Sequence, residues 1–137
     1  MYRKTQHSVY SITLHLVLVV KYRRNVIDDV ISERIKDIFE SIGSAHGVDI
    51  LEWNHDTDHI HTILSISPST NLNKYINAAK AASSRLIKKE FPPIKLKLWK
   101  ETFWTRGFYV SSTGSTKTDV IKNYILNQGK KTNVNNC

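Results

Sequence analysis

The sequence has few of the features that would cross-link a small fold or anchor it in a membrane. Its 137 residues include a single cysteine, Cys137, at the last position, so a disulfide framework within one chain is excluded and a reducing, cytoplasmic compartment is expected. The most apolar stretch, residues 9–20, contains polar side chains and is shorter than the roughly 20 apolar residues of a membrane span. Neither a membrane segment nor a cleavable signal is therefore expected.

Internal repeats and long linkers are also absent, which argues against a multidomain chain. We predict one domain over residues 1–131, followed by a polar tail over residues 132–137. With 40% hydrophobic residues, a chain of this size hides roughly two-thirds of its unfolded surface on folding. It can therefore bury a core without a disulfide or a structural metal.

Acidic side chains are missing from one end of the chain. Residues 1–24 carry five basic and no acidic side chains, residues 25–58 have a net charge of −7, and residues 59–137 have a net charge of +10. A polyanion would be attracted to the first and third of these segments and repelled by the second, which predicts one basic face and one acidic face. The alternative is a solvated basic surface without a specific partner.

Hydrophobic periodicity predicts seven elements in the order β-α-β-β-α-β-α. Strands are predicted over residues 9–18, 48–54, 59–66 and 108–112. Helices are predicted to begin at Asp28 or Asp29, after Pro68, and at Thr118 or Asp119, and residues 94–104 are predicted to form a loop with short extended pieces. The first six elements match a ferredoxin-like α+β fold, a four-stranded antiparallel sheet backed by two helices. One sheet face is then left for the C-terminal helix or for a ligand.

Two histidines lie two residues apart in the third predicted strand. The two-residue period of a strand places His59 and His61 on the same face, about 6.6 Å apart along the backbone. Two such imidazoles can hold one divalent ion, or they can simply be exposed on a strand. In the last helix, Tyr124 and Gln128 lie one turn apart on one side. A tyrosine on an apolar stripe is usually a core residue, but the Gln128 amide oxygen could complete a metal site, and an oxygen ligand in such a set suits Mg²⁺ or Mn²⁺.

Five segments resemble, in order and spacing, the small single-tyrosine HUH transposases of the insertion sequence 200/605 type. The resemblance extends from about Ser8 to Lys131, and it is carried by His15-Leu16-Val17, Lys21-Tyr22-Arg23-Arg24, Thr57-Asp58-His59-Ile60-His61, Gly107-Phe108-Tyr109-Val110-Ser111-Ser112-Thr113-Gly114 and Tyr124-Ile125-Leu126-Asn127-Gln128.

This resemblance implies a chemistry for the candidate residues. It implies that His59 and His61 are paired metal ligands, that Gln128 is the third ligand, and that Tyr124 is the nucleophile that joins DNA covalently. It also implies a ferredoxin-like fold, a homodimer, and single-stranded DNA substrates with hairpins near their ends. Because the phosphodiester energy would be kept in the covalent bond, no nucleotide cofactor is expected.

Further residues are candidates for contacts around this site. Asp58 is expected to orient a metal ligand or, alternatively, to cap the hairpin. Trp99, Trp104 and Phe108 could stack on unpaired bases or belong to the core. Contacts to DNA phosphates are expected from Lys21, Arg23, Arg24, Lys80, Arg85 and Lys88.

Two other functions remain open from the residues alone. One is a replication-initiator-like nickase, which would share the paired histidines and the tyrosine. The other is a non-enzymatic, RRM-like module that binds single-stranded nucleic acid, because that module has the same sheet and helix arrangement. An aromatic-rich strand motif typical of the RRM is absent, although residues 106–109 resemble it in part.

Overall fold

The predicted alternation of strands and helices is present in the computed structural model, which describes residues 2–4, 9–113 and 118–129. Its elements in chain order are β1 (Arg3–Lys4), β2 (Val9–Tyr10), β3 (Ile12–Val19), α1 (Asp29–His46), β4 (Val48–His55), β5 (His59–Ile66), α2 (Leu72–Glu90), β6 (Tyr109–Ser112) and α3 (Thr118–Gln128). No helix among the described residues is both long and apolar enough to cross a bilayer.

Four of the strands form one antiparallel sheet in the order β4-β5-β3-β6. Together with α1 and α2, this order confirms the predicted ferredoxin-like arrangement. The first long strand begins at Ile12 rather than at Val9, because residues 9–10 pair instead with residues 3–4 in a separate two-stranded ribbon. Sequence alternation does not distinguish these two pairings, since both are extended.

Local signals in the sequence set the ends of the two long helices. The side chain of Asp28 accepts a hydrogen bond of 2.8 Å from the backbone N–H of Ile31 and so caps α1, as predicted. The same helix ends at Gly47, whose φ of +73° is the left-handed conformation that glycine adopts without strain. Asn71 caps α2 in the same way, and Pro92 and Pro93 follow its end.

The core lies between one face of the sheet and the two long helices. Its members are buried aliphatic and aromatic side chains that alternate along the strands and recur at helical spacing. They include Leu16, Leu18, Ile60, Leu64, Ile31, Ile35, Phe39, Tyr75, Ile76 and Ile87. The opposite face of the sheet is left for the remaining helix, α3.

Candidate functional site

The second face of the sheet brings together side chains that alternate with the core residues. Val17 of β3 lies opposite His61 on one side and opposite Tyr109 on the other, so all three point to the same face. Val19 lies opposite His59 in the same register. The predicted shared face of the two histidines is therefore present.

The two histidine rings lie side by side on β5. Their centroids are 6.1 Å apart, their planes differ by 29°, and both side chains are half-buried. Burial is the main cause that lowers the pKa of His61, and the neighbouring His59 and His15 lower it further. A lowered pKa favours the neutral imidazole, which is the form that binds a metal ion.

Asp58 connects the first histidine to a cation. Its Oδ1 lies 2.7 Å from Nδ1 of His59, and its Oδ2 accepts a hydrogen bond of 2.9 Å from Nε of Arg23. An ionised Asp58 requires the proton of His59 to be on Nδ1, which leaves the lone pair of Nε2 available for a ligand. Because only 6% of Asp58 is exposed, the surrounding fold holds the Arg23–Asp58–His59 hydrogen bonds in place.

The residues present fit a divalent ion only if a residue type other than His, Cys, Asp or Glu completes the site. Within residues 2–4, 9–113 and 118–129, no group of three or more of those four types is arranged to hold a metal. An amide oxygen would supply the missing kind of ligand, and Gln128 is half-buried in the last turn of α3.

The end of α3 lies next to the Arg23–Asp58 pair. A side chain at Gly129, the residue after Gln128, would place its Cβ 2.8 Å from Cδ of Arg23. Arg23 is in turn bound to the carboxylate that holds His59. The helix therefore brings the predicted third ligand to the same end of the sheet as the paired histidines.

Tyr124 lies one turn earlier on α3, against β6. Its ring centroid is 5.8 Å from that of Tyr109, with the planes tilted by 45°. Burial raises the pKa of the Tyr124 phenol, and the nearby hydroxyl of Thr105 acts in the opposite direction with a smaller effect. The phenol is therefore protonated at neutral pH. Tyr109 is two strands away from His61, which corresponds to about 10 Å across the sheet.

The basic residues predicted to contact DNA fall into two groups. Lys21, Arg23 and Arg24 follow the end of β3, where Arg24 is exposed and Arg23 is engaged with Asp58. The second group lies on α2, along a groove between this helix and residues 100–105. This groove is lined by Lys80, Lys88 and Lys100, and it adjoins a second one lined by Arg85, Lys88, Lys89 and Lys95.

Lys80 differs from the other predicted phosphate contacts because its ammonium group is already bound. Its Nζ donates to the carbonyl oxygens of Thr105, Arg106 and Gly107 at 2.9, 3.0 and 3.1 Å. Burial lowers the pKa of Lys80 to about 8. The side chain thus ties α2 to the segment that leads into β6.

Two residues near the site were not singled out from the sequence as functional. His15 of β3 lies on the same face as His59 and His61, and its buried Nδ1 has no hydrogen-bond partner among the described residues. The alternation of β3 could have predicted that His15 lies on the face opposite the core. Thr105, whose hydroxyl is near Tyr124, had no signal in the sequence because it lies in an irregular segment.

Of the three aromatic residues predicted either to stack on bases or to belong to the core, one lies in the core and one packs against it. Trp104 is 6% exposed and donates from Nε1 to the Ser83 hydroxyl at 3.0 Å, and Phe108 packs against the core. Trp99 is half-buried and lies at the surface next to Tyr22.

The sequence is similar to those of known transposases. A family model described as "Transposase IS200 like" matches residues 8–128. The chain is 29% identical over 129 residues to the ISDra2 transposase TnpA of Deinococcus radiodurans, which spans 94% of this chain and 92% of that protein. It is also 30% identical over 122 residues to the transposase for insertion sequence element IS200 of Salmonella typhimurium, spanning 89% of this chain and 80% of the relative.

Solved structures agree with these matches. A crystal structure of a Deinococcus radiodurans R1 protein assigned as a transposase has a TM-score of 0.82 and 28% identity, covering 92% of this chain and 97% of that one. A REP-associated tyrosine transposase bound to a REP hairpin has the same fold, with a TM-score of 0.59 at 11% identity, covering 91% of this chain and 68% of that one.

Proposed function

The chain belongs to the IS200-like transposase family, and from this premise we propose that it cleaves and rejoins single-stranded DNA through a covalent link to Tyr124. In this proposal His59, His61 and Gln128 hold a divalent ion, Mg²⁺ or Mn²⁺. One observation supports it: Tyr124 of α3 packs against Tyr109, on the sheet face that bears two adjacent, half-buried histidines.

The nucleophile is the phenol oxygen of Tyr124. It attacks the scissile phosphorus, the bond from phosphorus to the 3′ oxygen breaks, and a 5′-phosphotyrosine forms. The phenol loses its proton in this step, and the leaving 3′ oxygen gains one. An incoming 3′ hydroxyl later reverses the reaction, so the energy of the phosphodiester bond is kept and no nucleotide is consumed.

The surrounding residues prepare this attack. Asp58 fixes the ring of His59, and the lowered pKa of His61 keeps its imidazole neutral, so both side chains can act as ligands. A divalent ion bound there would stabilise the negative charge that develops on a non-bridging phosphate oxygen. The raised pKa of Tyr124 means that proton removal must accompany the attack rather than precede it.

The substrate and the working unit follow from the same proposal. The basic groove along α2 and the cations after β3 would bind the phosphates of single-stranded DNA with hairpin ends, and a structural neighbour was solved bound to a REP hairpin. Each chain offers one nucleophile, whereas excision of a segment requires cleavage at two ends. A homodimer would supply the second site.

The decisive experiment looks for the covalent intermediate. The protein is incubated with Mn²⁺ and a hairpin-bearing single strand labelled at its 3′ end, and adducts are resolved on a denaturing gel. We expect a labelled adduct with the wild type and none with Tyr124→Phe. The matched control is Tyr109→Phe, which removes the hydroxyl of the neighbouring tyrosine and should leave the adduct in place.

Three outcomes would contradict the proposal. They are the absence of an adduct in the wild type, an equal adduct in Tyr124→Phe, and an adduct that depends on Tyr109 instead. The same gel separates one alternative, because an RRM-like binding module forms no adduct. A replication-initiator-like nickase would form the adduct through the same tyrosine, so it is distinguished by adding a second strand with a free 3′ hydroxyl and measuring whether the two ends are joined.

A further inference from the structure

Two tight turns lie side by side at the end of β3. In the first, the N–H of Arg24 donates to the carbonyl of Lys21 at 3.4 Å, and in the second the N–H of Thr102 donates to the carbonyl of Trp99 at 2.9 Å. The N–H of Lys21 donates to the carbonyl of Phe103 at 2.8 Å and so connects the two turns. The position of each turn is therefore fixed relative to the other.

Both turns have a backbone conformation that ordinarily requires glycine. The central residues are Tyr22 and Arg23, each with φ of +54°, and Lys100 and Glu101, with φ of +48° and +57°. Two successive positive φ values define a type I′ turn, which strongly favours Asn-Gly. Among the described residues, these are the only non-glycine positions with positive φ. Strained backbone of this kind concentrates at functional sites.

The side chains on these turns are aromatic and cationic. The rings of Tyr22 and Trp99 meet edge to face, with centroids 5.0 Å apart. The Nζ of Lys21 lies 5.2 Å from the centroid of Tyr22 and 5.8 Å from that of Trp99, and the Nζ of Lys100 lies 4.7 Å from the centroid of Trp99. Aromatic faces bordered by cations are the arrangement with which proteins bind unpaired bases together with their phosphates.

We propose that Trp99 and Tyr22 form a stacking platform for an unpaired base of single-stranded DNA, with Lys21 and Lys100 holding the adjoining phosphates. This inference rests on the proposed function for its class of substrate and adds a site to it. A stacked base replaces the lysine over the Trp99 ring, and the displaced ammonium group binds a phosphate.

The position of the platform connects it to the proposed catalytic face. Its first turn contains Arg23, which binds Asp58 and through it His59. In the other direction, Lys100 also lines the basic groove along α2. A strand lying in that groove would therefore pass over Trp99 before it reaches the histidines, and the platform would fix the base next to the reacting phosphate.

The test measures binding alone, with the full chain, an oligothymidylate of about ten nucleotides and a chelator that removes divalent ions. We expect Trp99→Leu to raise the Kd about tenfold, because stacking on one aromatic ring is lost. A strand with the same number of phosphates but abasic sites should bind the wild type and Trp99→Leu equally. Trp53→Leu is the matched control, since Trp53 packs on Phe39 beside α1 and should leave both affinities unchanged.

Fluorescence and salt dependence provide two independent readouts. The oligothymidylate should quench tryptophan emission in the wild type and in Trp53→Phe but not in Trp99→Phe, whose smaller ring preserves the fold. Lys100→Gln should reduce the slope of log K against log salt by about 0.7, because one phosphate contact is lost. Trp99→Leu should leave that slope unchanged.

The proposal is overturned if Trp99→Leu weakens binding to the abasic strand as much as to the oligothymidylate, because the loss would then not involve bases. Quenching that persists in Trp99→Phe overturns it as well. Neither readout involves cleavage, so a failed adduct assay would count against the catalytic proposal and leave this one standing.

Discussion

The two faces of the sheet are built from the same strands but have different chemistry. On β3, Leu16 and Leu18 point into the core beneath α1 and α2, whereas His15 and Val17 point to the other face, which bears the histidine pair. The first face is covered by two long helices, and the second is covered in part by α3, a helix of 11 residues.

Because of this difference, one face of the sheet supplies most of the folding stability and the other carries the candidate site. Burial of large apolar side chains is the main source of folding free energy, and most of it occurs on the helix-covered face. The second face carries half-buried polar residues over a floor of Val17 and Val19, both fully buried. Substitutions on adjacent residues of one strand should therefore affect different properties.

The largest effect is expected from removing a histidine of the second face. We expect His61→Ala to reduce adduct formation at least about 1,000-fold, because the ion proposed to be held there would contribute several kcal/mol to stabilising the transition state. The free energy of unfolding should change by less than about 1 kcal/mol, since the side chain is only half-buried. The gel assay and urea unfolding measure the two quantities.

His55→Ala is the matched control for His61→Ala. His55 lies on the neighbouring strand, and its Nε2 is paired with the exposed Asp29, outside the proposed site. A similar loss of adduct in both variants, or a loss in His61→Ala that is explained by unfolding, would remove the distinction between the two faces.

The next largest effect belongs to the helix-covered face. Leu64 is fully buried in the core, so Leu64→Ala should lower the free energy of unfolding by about 3 kcal/mol. The yield of adduct per folded molecule should not change. Ile63→Ala, one residue away on the other face and only half-buried, should cost less stability. Equal destabilisation by the two variants would show that the second face contributes to folding as much as the first.

A smaller effect is expected where the second face is held in place. Asp58→Asn keeps the shape of the side chain but loses the charge that faces His59 and Arg23. The affinity for Mn²⁺ should therefore fall about tenfold to a hundredfold, as is typical when a carboxylate that orients a metal-binding histidine is lost. Calorimetric titration of the full chain measures it. Asp56→Asn is the control, because its carboxylate accepts a hydrogen bond from the backbone of Thr57 and has no hydrogen bond or ion pair with either histidine of the pair among the residues that the structure describes. Equal affinities in all three proteins would exclude a role for Asp58 in orienting a ligand.

The sequence was sufficient for the sheet and for the pairing of the histidines, because both depend on local periodicity. The alternation of β5 places His59 and His61 on one face whatever its neighbours are, and the caps at Asp28 and Gly47 fix the ends of α1. The family resemblance added Tyr124 to the candidate site as the expected nucleophile, whereas helical spacing alone would assign this residue to the core.

What the sequence did not predict depends on contacts between distant residues. The turns at Tyr22 and Lys100 contain no glycine, so propensity gives no indication of a type I′ conformation, which the packing of one turn on the other imposes. Lys80 was predicted to face DNA because it lies on the basic side of α2. Its three carbonyl partners follow it by 25 to 27 residues in an irregular segment, where no period can be read.

The smallest effect concerns this same Lys80, which joins the helix-covered face to the segment leading into β6. Its pKa in the fold is about 8, below the ordinary 10.5, so between these values the unfolded chain binds more protons and the free energy of unfolding rises with pH. Lys80→Met removes the group. We measure the free energy of unfolding of both proteins in urea at about pH 7.5 and about pH 10. The wild-type value minus the variant value should rise by roughly 1 kcal/mol between the two pH values, a small change because solvent screens the partly exposed ammonium. Tyrosine titration is common to both proteins and cancels in the difference. If this difference falls with pH instead, the carbonyls of residues 105–107 stabilise the charged form of the lysine by more than burial destabilises it.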